Sequence, residues 1–449
     1  MTKLLMIFPP FCIPTSLPYS VAHFAKSLKG KNFEFDFLDL NLEFNAQYTN
    51  PFTEDLLLED YETIARGFMS HTNDKYKYFN DLLKNNSEEM NIILNKYLDS
   101  IMLKNPDYVG FSCFYNQQIF YAKKLSKLLQ QKGVKTLLGG PAVDESYKND
   151  FTFIADDETG LRNILKHEGI ELEEEKQGFE TNIFDLNKYF TPKPVLSVKT
   201  SNGCYHNKCA FCTHSKNECY GVFDLNIIVD DMVKSKQKYF QFVDDMISPA
   251  RFKQLSEKLI GKNFIWSALA KPNKEFTLEL LELMHSAGCR LISWGVESGS
   301  QKVLDLMNKK TTVEECTSSL NNAGKVGIKN QVYVMFGFPG ETKEDALETI
   351  KFIETNSSVM HLITTSVFGL QEGSEVFKHP ENYGIINLEK HERTVLCPKY
   401  TFEITNGMTT QQASKFRRNH IKQLRNINKC PASMSYFKDH LLVYYDLQN

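Results

Sequence analysis

TSNGCYHNKCAFC, residues 200–212, sets Cys204, Cys209 and Cys212 in a C-x4-C-x2-C spacing just after the apolar run Pro194 to Val198. Three thiolates on one loop can hold three corners of a cubic iron–sulfur cluster, which ordinarily takes four cysteines. A missing fourth ligand leaves one iron open to a substrate or cofactor. A zinc knuckle completed by His206, His214 or Cys219 satisfies the same spacing. On spacing alone both readings stand, so the chain on either side decides.

Downstream, apolar residues keep a βα rhythm to about residue 375. Strand-like runs fall near 195–200, 239–243, 264–269, 290–296, 331–336 and 361–367, with helical segments between them. Thr312 with Glu315, and Thr342 with Asp345, are helix starts of the capping-box type. Six such units predict a partial (β/α)6 TIM-like barrel, whose chemistry gathers at the carboxyl ends of the strands. The cysteine loop follows the first of them.

Upstream, residues 1–165 also alternate. Leu4–Phe8, Phe33–Leu38, Tyr108–Ser112, Val134–Leu138 and Phe151–Ile154 read as strands, and Tyr19–Leu28 and the stretch around Ile119, Ala122, Leu125 and Leu128 as helices. The fold class is α/β: a Rossmann-like parallel sheet with helices on both faces, then the barrel. Ligands of such sheets bind beyond the strands' carboxyl ends, here the loops near Pro9, Ser112 and Gly139. Residues 166–192 read as a linker, 193–375 as the barrel, and 376–449 as a small, mainly helical extension. Its helix with Lys415, Arg417, Arg418, Lys422, Arg425 and Lys429 reads as an amphipathic surface helix. Cys397 and Cys430 stand alone, and Cys289 and Cys316 sit in apolar-periodic segments that suit packing.

Composition excludes several classes. The chain has 449 residues, 42% hydrophobic and 24% charged, with a formal charge of −3. That charge argues against general affinity for nucleic acid or a membrane surface. No apolar run approaches membrane-spanning length, and the ten scattered cysteines do not form a secreted disulfide framework. The expectation is a reduced, cytoplasmic protein.

At the strand ends the sequence resembles radical SAM enzymes. Phe211 matches the C-x-aromatic-C of that family. Asp244-Asp245 ends the second strand and Ser267 to Lys271 the third. Gly295-Val296-Glu297-Ser298-Gly299-Ser300 ends the fourth, and Gly337-Phe338-Pro339-Gly340-Glu341-Thr342 the fifth. The N-terminal region resembles the cobalamin-binding domain of B12-dependent members, through FPPFCIPTSLPYS (Phe8 to Ser20), Ser112-Cys113-Phe114 and Gly139-Gly140. Two departures stand out: the first cysteine gap is four residues where three is commonest, and there is no D-x-H-x-x-G.

The resemblance implies a [4Fe–4S] cluster on Cys204, Cys209 and Cys212. It implies S-adenosylmethionine (SAM) at Phe211, Asp244, Asp245, Lys271, Glu297, Ser298, Gly337 and Pro339, with Asp244–Asp245 near its amino group. Cobalamin is implied at Pro9, Ser112, Phe114, Gly139 and Gly140, with no side chain on the lower face of cobalt. The implied reaction is methylation of an unactivated carbon of a peptide or natural-product substrate, with electrons from a flavodoxin or ferredoxin. A radical cyclisation, rearrangement or oxidation without methyl transfer is the second reading. A non-catalytic cofactor-binding or sensing protein is the third.

Overall fold

The computed structural model describes residues 1–45, 52, 60–85, 87–143, 145–213, 220–391 and 400–448. His214, Cys219 and Cys397, raised above as ligands or isolated thiols, lie outside them. The chain divides into two compact units. One is Met1–Pro194 with Val233–Ser235; the other is Val195–Met232 with Lys236–Asn449.

The first unit is built on β1 (Thr2–Phe8), β2 (Phe33–Asp39), β3 (Tyr108–Ser112), β4 (Lys135–Gly139) and β5 (Phe153–Ala155). All pair in parallel, in the order β2-β1-β3-β4-β5. Alternating side chains divide between two apolar layers. Leu5, Ile7, Val109, Phe111 and Leu138 pack with residues of the helices Tyr61–Lys84, Glu88–Met102 and Asn116–Gln131. Leu4, Met6, Tyr108, Leu137 and Ala155 pack with the helices Tyr19–Ser27 and Glu158–His167. Burial on both faces explains why β1 reads as a continuous apolar run. Strand order reverses between β1 and β3, which opens a crevice at their carboxyl ends.

The second unit carries β6 (Val195–Val198), the short antiparallel pair β7 (Ser201–Asn202) and β8 (Gly221–Val222), then β9 (Tyr239–Phe242), β10 (Ile265–Ala270), β11 (Cys289–Glu297), β12 (Lys329–Phe336) and β13 (Met360–Val367). Six of these form one parallel sheet, β13-β12-β11-β10-β9-β6, at the six predicted places. Its outer face is aromatic: Phe252 stacks on Trp266 at 6.3 Å between ring centroids, and Phe276 meets Trp294 edge-on at 4.8 Å. Both capping boxes form, Thr312 with Glu315 and Thr342 with Asp345. Cys289 and Cys316 are buried.

The C-terminal residues belong to this second unit. Besides the helices Thr410–Arg425 and His440–Leu447 they add an antiparallel ribbon, β14 (Ile385–Lys390) with β15 (Tyr400–Ile404), which periodicity alone does not reveal. The last helix packs against β10 and β11. Asp446 accepts hydrogen bonds from Lys238 Nζ (2.7 Å) and Tyr239 Oη (2.9 Å), and Tyr445 lies under Lys329. Those partners stand at strand starts, so this helix closes the amino-terminal end of the barrel.

Candidate active site

The cysteine loop leaves β6 and is held along its length. Cys204 bridges to Met246 beyond β9. Ala210 N–H donates to Met307 O at 2.8 Å, and Ala210 O accepts from Val376 N–H at 3.1 Å. Asn308 Nδ2 donates to Lys208 O at 2.9 Å, and His206 Nε2 lies 3.3 Å from Asn308 O. The three thiols are partly exposed. Zinc with Zn–S bonds near 2.3 Å needs sulfurs about 3.8 Å apart. Among the described residues, the one trio of Cys, His, Asp or Glu with ligand atoms all within 4.8 Å of one another is His23, Glu158 and Glu175. The three thiols are not such a trio, and His206 turns one ring nitrogen to a carbonyl.

Asp244 anchors the root of this loop. Its Oδ1 accepts from Thr200 N–H (2.9 Å), Thr200 Oγ1 (2.8 Å) and Ser201 Oγ (2.7 Å). Its Oδ2 is buried with no hydrogen-bond partner among the described residues. Burial raises its pKa, and those donors oppose the rise. An orphaned carboxylate oxygen beside the loop is what an ammonium ligand would complete. Arg251 braces the same root, donating to Thr200 O at 2.8 Å and Phe223 O at 2.6 Å.

Glu297 ends β11 at a register shift between Gly295 and Glu297, in the left-handed region (φ 69°). A bulge of this kind re-aims a side chain. Here the carboxylate meets Lys309 Nζ at 2.9 Å, and Lys309 is only 2% exposed. Burial opposes the charge on Lys309, yet Glu297 and Cys209 hold its pKa above the ordinary value. The ammonium also lies 5.9 Å from the centre of the Phe211 ring. Lys271 donates to Lys310 O at 2.8 Å, and burial with the neighbouring Lys309 lowers its pKa. Lys309 was not singled out from sequence. The left-handed residues on both sides of it, Asn308 (φ 52°) and Lys310 (φ 52°), accompany its inward turn.

The remaining motif residues are braced from outside. Ser298 Oγ lies 3.0 Å from Thr349 Oγ1. Gly337 has φ 79°, and a Cβ there would stand 2.5 Å from Ala413 Cβ, so the close approach of the C-terminal helix requires glycine. Pro339 lies in the same turn, and Asp245 follows Asp244 directly after β9. Glu341 closes this turn: it accepts from Gly337 N–H, its Oε1 has no partner among the described residues, and burial pushes its pKa up to about 8. A folded-state pKa above the ordinary value near 4.5 means folding takes up a proton between those pH values. Stability is therefore lost as pH rises from about 4.5 through about 8. Glu341→Gln is expected to remove that dependence, its Tm advantage growing across this window when melting is followed by circular dichroism. Parallel curves for both proteins would contradict the assignment.

In the first unit a cavity of about 150 Å³ opens at the crevice. Ser112, Phe114, Gly139 and Gly140 all line it, with Ser20 from the first helix and Asp156 to Glu158 from the β5 exit. Ser20 Oγ and Ser112 Oγ lie 3.2 Å apart. Gly140 has φ 110°, and a Cβ there would come within 2.3 Å of Cys113 O. Pro9 is not among the lining residues; its carbonyl accepts from Gln118 Nε2 at 2.8 Å.

Residues 198–353 match the Radical SAM superfamily model. Bacteriochlorophyllide d C-12(1)-methyltransferase of Chlorobaculum tepidum is 31% identical over 191 residues, 40% of this chain and 41% of that protein. The matched stretches span 36–41% of the first curated relatives. The radical SAM methyltransferase TsrM from Kitasatospora setae, solved with cobalamin and a [4Fe–4S] cluster, superposes with TM-score 0.63 at 16% identity, over 89% of this chain and 83% of that one. The cobalamin-dependent radical SAM enzyme OxsB, solved with aqua-cobalamin, gives 0.61 at 14% identity, over 100% and 72%. Residues 198–353 therefore carry a radical SAM domain. The fold, a parallel N-terminal sheet followed by the partial barrel, is the one that TsrM and OxsB share.

No described helix is long and apolar enough to cross a membrane.

Proposed function

We propose that this protein is a cobalamin-dependent radical SAM methyltransferase acting on an unactivated carbon of a small-molecule or peptide substrate. The single observation that carries the reading is the convergence of three loop cysteines, the orphaned Asp244 oxygen and the Glu297–Lys309 pair at the strand ends of one barrel. When bound, the cluster and SAM supply a 5′-deoxyadenosyl radical and cobalamin supplies the methyl group. The chain's own residues bind and orient. Cys204, Cys209 and Cys212 would hold the cluster. Asp244 Oδ2 would take the SAM ammonium, with Asp245 beside it, and Glu297 would accept from ribose hydroxyls. Phe211 offers an aromatic face. Lys309 fixes the Glu297 carboxylate and sets a positive charge near Cys209. Lys271, Ser298, Gly337 and Pro339 shape the same strand ends.

The cavity of the first unit fits a flat aromatic base: its walls are mostly apolar, with the Ser20–Ser112 hydroxyls at hand and no histidine in the lining. Both ring nitrogens of His23 are engaged, Nδ1 with Gly178 O at 2.7 Å and Nε2 with Glu158 at 2.5 Å. This supports a cobalamin held without a protein ligand on its lower face. A cytoplasmic location and a flavodoxin- or ferredoxin-type electron donor belong to the same proposal.

Anaerobic reconstitution with iron, sulfide and cobalamin tests the reading by visible spectrum and by paramagnetic resonance of the Co(II) form. One cobalamin per chain with no imidazole nitrogen splitting is expected. Imidazole splitting would overturn the ligand claim. No cobalamin binding would favour a radical reaction without methyl transfer. Product mass separates the two, since methylation adds about 14 Da and rearrangement adds nothing.

A further inference from the structure

TIM-type barrels are filled by layers of mostly branched apolar side chains. This lumen is not. Side chains alternate along a strand, and one set on each strand is buried against the outer layer, as with Phe240 and Phe242, Ile292 and Trp294, or Val332 and Val334. Six positions of the alternate, inward set carry a hydroxyl or amide: Ser197, Gln241, Ser267, Ser293, Gln331 and Thr364. Four of them keep part of their surface accessible. Ser293 Oγ donates to Gln331 Oε1 at 2.8 Å, and Gln331 Nε2 donates to Tyr333 Oη at 3.1 Å.

A cation enters the same space from the C-terminal segment. Lys438 Nζ stands 4.8 Å from the centre of the Tyr333 ring. Tyr333 lies within electrostatic reach of Asp439, the chain neighbour of Lys438, and of Glu297 at the strand end above. Lys438 is half-buried and burial lowers its pKa. Among the described residues it makes no hydrogen bond or ion pair. An ammonium has three donors to satisfy, and an aromatic face alone does not replace the water it has lost.

We propose that the lumen selects a substrate bearing a carboxylate, received by Lys438 over the Tyr333 ring. This rests on the radical SAM reading above. Among the described residues, the one ammonium shown against the Tyr333 ring is that of Lys438, with the Asp439 carboxylate nearby, which suits a single negative charge; a phosphate would call for more.

Benzoate and benzamide, equal in shape and different in charge, probe the site by calorimetry on anaerobic holoenzyme saturated with SAM and without reductant. Benzoate is expected to bind at least tenfold tighter than benzamide. Lys438→Met should bring the ratio below about twofold, and Lys438→Arg should keep most of it. Equal binding in the wild type, binding of neither, an unchanged ratio in Lys438→Met, or preference for phenyl phosphate over benzoate overturns the proposal. Iron content and Tm of each variant show that the site has folded. Methionine release by the wild type with dithionite reads the underlying reaction separately. Its absence would sink the radical reading, while the benzoate ratio still reports on Lys438.

Discussion

Replacing Cys204, Cys209 and Cys212 together with alanine is expected to leave a folded protein that binds no cluster and releases no methionine from SAM under reducing conditions. The loop does not depend on iron for its path: Ala210 is bonded to Met307 and Val376, Lys208 to Asn308, and Cys204 bridges to Met246. The thiols are partly exposed and none is needed as core. Circular dichroism should therefore be unchanged while iron falls from about four per chain to none. A triple variant that still holds a full cluster would move the centre to other cysteines.

The second large effect is expected at Lys309. Its ammonium is almost fully buried and its partner carboxylate is 16% exposed. Lys309→Met removes one half of the pair and leaves the Glu297 carboxylate without its ammonium, in a left-handed backbone conformation that costs about 1–3 kcal/mol on its own. Breaking such a pair from one side typically costs about 3–5 kcal/mol. The variant should melt lower in calorimetry and bind SAM at least tenfold more weakly, with Lys309→Arg partly restored. Glu297→Ala should also weaken SAM binding while iron content holds. Wild-type affinity in both variants would reduce the pair to a structural turn.

Much of this site was legible because barrel strands end in short polar or glycine-rich turns that interrupt apolar runs. The six strands, the cysteine loop, Asp244, Glu297 and the Gly337–Glu341 turn could all be placed that way. Ser112, Phe114, Gly139 and Gly140 were similarly exposed to reading, and they do line one cavity. Lys309 was not, because it stands twelve residues past Glu297 and meets it only after a turn with two left-handed residues. The double role of Asp244 was hidden as well: one of its oxygens serves Thr200 and Ser201, which only the fold brings to it. The polar lumen escaped notice because single serines and glutamines look unremarkable in strands. Their common direction appears only when six strands lie side by side. Lys438 comes from more than 70 residues beyond the last barrel strand, a distance no local pattern spans.

Radical chemistry is tested by anaerobic incubation of reconstituted wild-type protein with SAM and a strong reductant, followed by chromatography for 5′-deoxyadenosine and methionine. Both products are expected in equal amounts, dependent on reductant and on the three cysteines. A protein holding a full cluster and bound SAM that yields neither would contradict it.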